Sequence, residues 1–365
     1  MRLGFLDFFG DIANFVKGGS VLGIDIGTTS VKLVELNKRG DRLRFVNYGI
    51  LETKRYLDRP NESLQTSSLA LSEPEATKLV KILIRETGVK SKIVVASIPA
   101  FAAFASPVEM PLLSPSETAR AVGFEARQYI PLPPEQVSID WLKVDEFENE
   151  QGGRMQRIII IGIPNETIKR YKAVFENCGL RLNALEFESI ALVRAMPRFD
   201  RPTLVVDLGA ESTAIVVAEG GVLKDARQTD YGGIHLTQAL SKNLGVSAKR
   251  AEELKRRRGL LATGGESELS TLILPFLDVI IQEVRYAQDS YERRYGKKVE
   301  QLVLAGSGAE LLGIEKYFAG QLDLKTVAPD IFGGIDYEPN LDPLRKNFSR
   351  TLAVAVGLAK RYFQT

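Results

Sequence analysis

The chain has 365 residues, of which 44% are hydrophobic and 26% are charged, and its formal net charge at pH 7 is +2. This length exceeds one ordinary hydrophobic core, so the composition indicates a globular protein of two or more domains. The small net charge gives no sign of a nucleic-acid or acidic partner, and one cysteine with one histidine excludes a disulfide framework, an ordinary zinc site and a Cys/His nucleophile.

Residues 1–19 form a predicted amphipathic segment, because their apolar side chains recur near helical spacing. These side chains are Leu3, Phe5, Leu6, Phe8, Phe9, Ile12, Phe15 and Val16. Helices that bind membrane surfaces are usually basic, whereas here Asp7 and Asp11 offset Arg2 and Lys17. The sequence leaves open whether this segment contacts a membrane surface, a partner protein, its own domain or a neighbouring chain. We expect neither a secretory signal nor a spanning helix, since no cleavage site follows and no run of roughly eighteen apolar residues occurs.

The chain from residue 20 to residue 101 has the pattern of an α/β domain. Apolar runs predict strands at residues 21–25, 31–36, 43–53 and 92–98. Helical spacing predicts a helix from Glu75 to Thr87, with Ser72 as its N-cap. The polar stretch 55–74 predicts a loop before this helix.

The next part of the chain, from about residue 102 to about residue 188, predicts a smaller unit. Strands are expected at residues 103–110, 137–147 and 157–163. Ser114, Ser116 and Glu117 predict the start of a helix that ends before Pro131. A second helix is expected from Glu166 to Cys178. The chain then continues through a strand at residues 183–187 and a helix that starts at Ser189.

The pattern of the beginning recurs in the second half, where strands at residues 204–207 and 213–218 flank a turn. Helices are expected at residues 234–244, 248–258, 268–295, 311–322 and 348–362, and one more strand at residues 299–304. The last helix is rich in small residues, namely Ala353, Ala355, Gly357 and Ala359. Small residues permit close approach of another backbone, although a helix-forming end element explains them equally well.

Two strand–turn–strand segments, about 180 residues apart, share one pattern, as a duplicated domain would give. The first reads Gly-Ile-Asp-Ile-Gly-Thr-Thr-Ser-Val from Gly23 to Val31. The second reads Val-Val-Asp-Leu-Gly-Ala-Glu-Ser-Thr from Val205 to Thr213. Asp and Gly are common hairpin residues, so either copy alone is explained by simple turn closure. The match of two copies in register favours a shared binding function.

The residue types of the two turns suit a phosphate group and a metal ion. Gly27 and Gly209 let the backbone approach a phosphate, and successive N–H groups of a turn make an anion site. Neutral hydroxyl donors are added by Thr28, Thr29, Ser212 and Thr213. Asp25 and Asp207 would repel a phosphate but fit Mg²⁺, which prefers carboxylates, water and phosphate oxygens. Lys32 could supply a point charge to the phosphates.

A third element follows the strand at 299–304, where the chain reads Gly306, Ser307 and Gly308 before a predicted helix. Such a turn leaves room for a flat ring beside a positive helix end, but it lacks the dinucleotide fingerprint and the Walker A lysine. In the helix at 248–258, Glu252 could accept ribose hydroxyls and Lys255 could flank the ring. The alternative is a solvated charged helix face. That face is expected for Arg256, Arg257 and Arg258.

The order of these segments resembles the actin, heat-shock chaperone and sugar-kinase superfamily. Asp25–Ser30 is similar to its first phosphate turn, Asp207–Thr213 to its second, and Gly306–Leu311 to its adenosine turn. Ala251–Lys255 is similar to its ribose-side helix. The resemblance implies an α/β, actin-like (ribonuclease H-like) fold with duplicated halves that binds ATP and Mg²⁺. It also implies phosphate contacts from Ser30 and Ala210 and nucleoside contacts from Glu310 and Leu311.

Within this superfamily, Leu22–Leu36 and Ala184–Leu192 resemble the PilM family of type IV pilus assembly proteins, which are relatives of FtsA. The resemblance implies an inserted small α+β subdomain of the FtsA type. The implied domains are 20–101 with 188–202 and 345–365 for the first, 102–187 for the insertion, and 203–344 for the second. It also implies a cytoplasmic protein, peripheral at the inner membrane through partners, that holds the N-terminal tail of a PilN-type protein between the first domain and the insertion.

Two features depart from the family pattern. Glu211 stands where relatives often have a small residue, and a carboxylate near the terminal phosphate is unfavourable unless it points away or joins the metal shell. No residue stands out to position an attacking water, so hydrolysis is expected to be slow or absent. A nucleotide-gated scaffold is the leading hypothesis. A metabolite kinase of the same superfamily and a polymerising filament protein are the alternatives.

Overall fold

The computed structural model describes residues 19–52, 71–261 and 268–364, and within these the chain forms two compact units. The described residues of the first unit are 19–52, 71–191 and 354–364. Those of the second unit are 192–261 and 268–353. The predicted amphipathic segment and the predicted loop at 55–74 lie outside the described residues, except for residue 19 and residues 71–74. The division into 20–101, 102–187 and 203–344 stays a prediction.

The strands of the described residues are numbered in chain order. They are β1 (Ser20–Ile26), β2 (Ser30–Arg39), β3 (Arg42–Glu52), β4 (Ile93–Ile98), β5 (Phe104–Pro111), β6 (Val137–Glu148), β7 (Arg154–Pro164), β8 (Arg181–Phe187), β9 (Thr203–Leu208), β10 (Thr213–Glu219), β11 (Val222–Thr229), β12 (Gln301–Ala305), β13 (Lys325–Thr326) and β14 (Ile335–Asp336).

The helices of the described residues follow the same order. They are α1 (Glu73–Thr87), α2 (Pro115–Tyr129), α3 (Asn165–Asn177), α4 (Glu188–Ala195), α5 (Gly233–Leu244), α6 (Ala248–Arg258), α7 (Glu268–Tyr295), α8 (Ile314–Leu322), α9 (Arg345–Thr351) and α10 (Ala353–Arg361). Short 3₁₀ helices cover Ala100–Ala102, Pro134–Gln136, Ser307–Glu310 and Pro339–Leu344.

The main sheets of the two units share one topology. In the first unit the strands lie in the order β3-β2-β1-β4-β8, and in the second in the order β11-β10-β9-β12-β13. In both, the first two pairs of this order are antiparallel and the last two are parallel. Both central strands, β1 and β9, are buried along most of their length, as an apolar run predicts. The duplication inferred from the two sequence segments is therefore present strand for strand.

A separate antiparallel sheet in the order β5-β7-β6 lies within the first unit. Helix α2 packs on it through Val122 and Ala126, against Val108 and Ile158 among others. The helix begins with a capping box, in which the Ser114 N–H donates to Glu117 Oε2 at 3.0 Å and the Glu117 N–H donates to Ser114 Oγ at 3.4 Å. The three strands and the first helix expected in this part of the chain are therefore present within the first unit.

Local sequence signals also fix the helix that packs on the first main sheet. The Ser72 N–H and hydroxyl both donate to Glu75 Oε2, at 3.4 and 2.8 Å, and α1 ends at Gly88 with φ +64°. Its buried face carries Ala76, Val80 and Leu83. Burying an aliphatic side chain such as Val80 contributes about 1.5–3 kcal/mol relative to leaving it exposed.

Two predicted helices differ from the observed ones, and the observed strands β11, β13 and β14 have no predicted counterpart. Helix α8 begins at Ile314 and not at residue 311, because Gly313 has φ +86° and separates it from a 3₁₀ turn. The C-terminal helix is divided at Leu352, whose φ of −103° and ψ of 7° leave helical geometry. Strand β11 has no counterpart among the predicted strands, because it is only partly buried and carries charged residues between its apolar ones.

Candidate functional site

The first turn joins β1 to β2 and is closed by one backbone hydrogen bond. The Gly27 N–H donates to the Ser30 carbonyl at 3.0 Å. Asp25 lies opposite Lys32 in the strand register, and Lys32 Nζ is 3.4 Å from Asp25 Oδ2. The Ser97 hydroxyl, on β4, donates to Asp25 Oδ1 at 2.8 Å. Asp25 is therefore held from both neighbouring strands, at a position where it is 7% exposed.

The second turn joins β9 to β10 and repeats the same geometry. The Gly209 N–H donates to the Ser212 carbonyl at 3.0 Å, the counterpart of the bond in the first turn. A Cβ atom at residue 209 would lie 2.6 Å from the Ser212 oxygen, so glycine is required there. Asp207 lies opposite Ala214 in the register, where the first turn has Lys32. The two turns thus match in backbone, but only the first has a lysine opposite its aspartate.

Helix α5 begins directly against the second turn. The Gly233 N–H donates to the Gly209 carbonyl at 3.0 Å, and the Ile234 N–H donates to the Ala210 carbonyl at 2.8 Å. A Cβ atom at Gly232 would lie 2.6 Å from the Ala210 oxygen, which explains the glycine at this position. The first residues of α5 and the second turn therefore form one hydrogen-bonded unit.

The glycine turn after β12 lies beside Asp207. Strand β12 pairs in parallel with β9, with Ala305 opposite Asp207. Gly306 has φ +80°, and a Cβ atom there would overlap Asp207 Oδ1. A Cβ atom at Gly308 would lie 2.8 Å from the Leu208 Cβ. The fold therefore brings the second turn and the predicted adenosine turn together within one unit, although they are far apart in the sequence.

Glu252 and Lys255 form an ion pair that connects α6 to α5. Lys255 Nζ lies 2.7 Å from Glu252 Oε2 and donates to the Gly233 carbonyl and to Thr237 Oγ1, both at 2.8 Å. The Glu252 carboxylate also accepts from Thr237 Oγ1 at 2.5 Å and from Arg256 Nε at 2.8 Å. Both side chains of the ion pair are only 12% exposed, so they do not belong to a solvated helix face.

The environment of this pair shifts both titrations. Burial lowers the pKa of Lys255, and the Glu252 carboxylate opposes that shift only in part. Burial opposes ionisation of Glu252, but Lys255, Thr237 and Arg256 together hold its pKa below the ordinary value. Lys255 is anchored where it could face a ribose or base only by adjusting these contacts.

The remaining predicted residues have varied surroundings. The turn residues Thr28, Thr29, Ser30, Ala210 and Ser212 are half-buried, as is Gly308, and Ser307 is exposed. Thr213 is fully buried, and its hydroxyl donates to the Tyr231 carbonyl at 2.7 Å. A phosphate contact from that hydroxyl would require this bond to break. Leu311 is 8% exposed and belongs to the hydrophobic core of the second unit, and exposed Glu310 accepts a hydrogen bond from Asn347.

Glu211 is half-buried next to Ser212, and burial raises the pKa of its carboxyl. No hydrogen bond or ion pair links its carboxylate to another residue in the described part of the chain. The effect of Glu211 on a phosphate at the second turn stays a prediction, and its raised pKa means that this carboxyl is neutralised more readily than an ordinary glutamate.

Several residues of these turns are not evident from the sequence. Ser97 and Thr237 give no signal, because a serine or threonine within an apolar strand or a helix is unremarkable. The pair Gly232-Gly233 is the available signal, since two glycines before a predicted helix often mark close backbone approach. The sequence singles out His235 only as its one histidine, whereas in the structure its Nδ1 accepts from the Gly232 N–H at 3.1 Å.

The described residues hold no cluster of three or more His, Cys, Asp or Glu side chains suited to a metal. Mg²⁺ commonly takes one or two carboxylates and completes its shell with water and phosphate oxygens. Each turn contributes one aspartate, so a magnesium ion at either turn would need water and phosphate oxygens to complete its shell. In the same part of the chain, no helix combines the length and the hydropathy needed to cross a bilayer.

Comparison with known proteins gives one family and a set of related folds. The family model described as type IV pilus assembly protein PilM matches residues 23–363. The cell division protein FtsA of Neisseria meningitidis serogroup B is 24% identical over 212 residues, which are 54% of this chain and 47% of the relative. The matched region thus spans about half the length of that curated relative.

Among solved structures, a PilM-PilN type IV pilus biogenesis complex superposes with a TM-score of 0.79 at 23% identity, covering 94% of this chain and 99% of the other. MreB 5 of Spiroplasma citri bound to AMPPNP gives a TM-score of 0.53 at 14% identity, covering 94% and 96%. At these identities the likeness establishes the fold alone. The α/β, actin-like fold with duplicated halves, which the sequence resemblance implied, is confirmed.

Proposed function

The chain belongs to the type IV pilus assembly protein PilM family, and from this membership we propose that it is an ATP-binding scaffold of type IV pilus assembly. The observation that carries the proposal is the pair of matched turns. In each turn a glycine, Gly27 or Gly209, follows an aspartate by two residues. The N–H group of this glycine donates at 3.0 Å to the carbonyl of a serine three residues further along the chain. Simple hairpin closure gives no reason for this identity in two separate units.

The phosphates of ATP are proposed to bind at the two turns. In the first turn we assign Gly27, Thr28, Thr29, Ser30 and Lys32. In the second turn we assign Gly209, Ala210, Ser212 and Thr213, with Thr213 contributing through its place in the turn because its hydroxyl is engaged. Backbone N–H groups and hydroxyls are neutral donors that suit phosphate oxygens. Mg²⁺, when bound, would neutralise phosphate charge, and Asp25 and Asp207 are its proposed carboxylates, mostly through water.

The nucleoside is proposed to lie against Gly306, Ser307 and Gly308. The absence of side chains at 306 and 308 leaves this turn flat beside Leu208. Glu252 and Lys255 are the proposed ribose-side residues. Both side chains are largely buried, and hydrogen bonds with Thr237 and with the Gly233 carbonyl already hold them in place. Glu310 and Leu311 complete the assignment, although Leu311 contributes mainly to the core.

The partner is proposed to be the N-terminal cytoplasmic tail of a PilN-type inner-membrane protein. A solved structure with the same fold is a PilM-PilN complex, which supports a partner of this type. We propose that the chain is cytoplasmic and is held at the inner membrane through such partners. An extended tail that orders on a preformed surface is a common mode of peptide recognition. Hydrolysis is expected to be slow or absent, since no described residue is assigned to position an attacking water.

We further propose that ATP changes the affinity for this tail. ATP can change the affinity for the tail only if the tail binds the ATP-bound protein and the nucleotide-free protein with different affinities. The test is the dissociation constant of a synthetic PilN-type N-terminal peptide, measured by anisotropy with Mg²⁺-ATP and without nucleotide. Different constants support gating, whereas equal constants defeat gating and leave the scaffold. Failure to bind in both states would overturn the partner assignment.

A further inference from the structure

A groove of about 840 Å³ lies along α1 and reaches the end of α3. We call it the α1 groove, and the residues that matter here are Pro74, Lys78, Lys81, Ile82, Arg85 and Asn177. All but Asn177 belong to α1, at spacings that place them along one side of the helix over three turns. The opposite side of α1 carries Ala76, Val80 and Leu83 into the core. The α1 groove is therefore the outward side of a helix whose inward side is fixed.

The cations of the α1 groove have few acidic neighbours. Lys78 and Lys81 are exposed and make no ion pair with any described residue. Arg85 is exposed and lies 2.8 Å from Glu86. Glu73, at the N-terminal end of α1, is the one carboxylate among the described lining residues. Even with Arg85 paired to Glu86, Lys78 and Lys81 face one lining carboxylate, so this surface keeps a net positive charge.

We propose that the α1 groove binds an acidic peptide segment of a partner protein that also carries apolar side chains. The carboxylates would pair with Lys78 and Lys81, and separate apolar side chains would pack on Pro74 and on Ile82, which are eight residues apart on α1. Asn177, which is exposed at the end of α3, offers hydrogen bonds to the peptide backbone. This goes beyond the proposed function, because none of the described residues that line the α1 groove belongs to the β5-β7-β6 sheet or to α2.

A peptide fits this surface better than a bilayer or a lone anion does. A bilayer is flat, whereas the α1 groove is concave along the helix and has its cations on both sides of Ile82 in sequence. A single phosphate would meet Lys78 and Lys81 but would leave Pro74 and Ile82 without a partner. Opposite charges steer the peptide to the surface and fix its register along the helix, whereas apolar contacts at the centre of the site supply affinity.

The test uses fluorescein-labelled nonapeptides and the full-length chain, with binding followed by anisotropy at low salt. The first, acidic-apolar probe contains three repeats of Glu-Leu-Glu. The second probe has glycine in place of each leucine, and the third has lysine in place of each glutamate. We expect the first probe to bind, the second to bind at least about tenfold more weakly, and the third not to bind. Equal binding of the first and third probes would overturn the proposal.

A charge-reversed pair of variants localises the site. Lys78→Glu with Lys81→Glu should weaken the acidic-apolar probe at least about tenfold, because like charges face each other across an interface. The matched control is Lys90→Glu with Lys92→Glu, which makes the same charge change at exposed lysines just beyond α1 and should leave binding unchanged. Equal losses in both variants would overturn the site.

A photo-crosslinker at Ile82 identifies the natural occupant. Crosslinked peptides from cells are sequenced by mass spectrometry. An acidic segment of another protein, lost in the Lys78→Glu, Lys81→Glu variant, supports the proposal. A segment of the same chain, residues 1–18 included, or of a second copy overturns it, as does a lipid adduct only.

Discussion

Gly357 of α10 packs on the backbone of α4 so closely that a Cβ atom at this position would overlap the carbonyl oxygen of Ala191. The same helix also packs on β1, where a Cβ atom at Gly23 would overlap the Ala355 carbonyl oxygen. Small residues on α10 thus permit backbone contact with both α4 and β1. Strand β1 also carries Asp25, two residues after Gly23. The packing of α10 is therefore directly connected to the strand that leads into the first turn.

Gly357→Ala should destabilise the protein by about 1–3 kcal/mol, because the added methyl group forces α10 away from α4. The free energy of unfolding in urea measures this change. Gly123→Ala in α2 is the matched control, since no atom lies within 4 Å of the place that the added methyl group would take and the change should stabilise by about 0.5–1 kcal/mol. Similar effects at the two positions would show that the contact with Ala191 is unimportant.

The ion pair between Glu186 and Arg361 is expected to matter strongly for stability. Arg361 Nη1 lies 3.0 Å from Glu186 Oε1, and the two side chains are 7% and 0% exposed. Arg361→Met should cost about 3–5 kcal/mol, because it removes a cation that neutralises a fully buried carboxylate. The double variant Glu186→Leu, Arg361→Met should recover part of this loss. A double variant less stable than Arg361→Met in urea unfolding would contradict the explanation.

Asp25→Asn should weaken Mg²⁺-ATP binding by about tenfold to a hundredfold, as loss of an outer-shell carboxylate does. Folding should change little, because the amide oxygen can still accept from Ser97. Calorimetric titration with Mg²⁺-ATP and with ATP in EDTA separates the metal from the phosphates. Ser97→Ala is the control that removes the hydrogen bond but keeps the charge. Unchanged affinity in Asp25→Asn would mean that the first turn only closes a hairpin.

His235 should titrate below its ordinary value and make stability depend on pH. Burial lowers the pKa of His235, and the negative charge of Asp230 opposes this only in part. Because the folded pKa is depressed, the contribution of the neutral imidazole is complete above about pH 6.5 and is lost as pH falls through the folded pKa. The chain has one histidine, so a single imidazole proton resonance reports the midpoint.

His235→Gln is the matched variant for this pH effect. Glutamine at this position can still accept from the Gly232 N–H but does not titrate. The wild type should lose more stability than the variant between pH 7.5 and pH 5.5, as measured by thermal unfolding. A midpoint at or above pH 6.5, or parallel loss in both proteins, would contradict the prediction.

The sequence by itself determined those features whose cause is local. Ser72 predicted the start of α1, and Ser114 with Glu117 predicted the start of α2. Apolar periodicity predicted α5, α6 and α7 closely. The two Asp-apolar-Gly turns were evident because each is one short segment whose residue types dictate its backbone. Their duplication then implied the fold, since repeated local patterns predict repeated topology.

The tertiary structure decided what depends on contacts between distant segments. The bond from Ser97 to Asp25, the placement of Gly306 against Asp207 and the packing of Gly357 on Ala191 each join residues at least 72 positions apart. The anchoring of Lys255 on Gly233 and the positive α1 groove likewise depend on which faces are buried. Side-chain type and spacing specify an element, but only the packing of elements specifies which atoms meet across them.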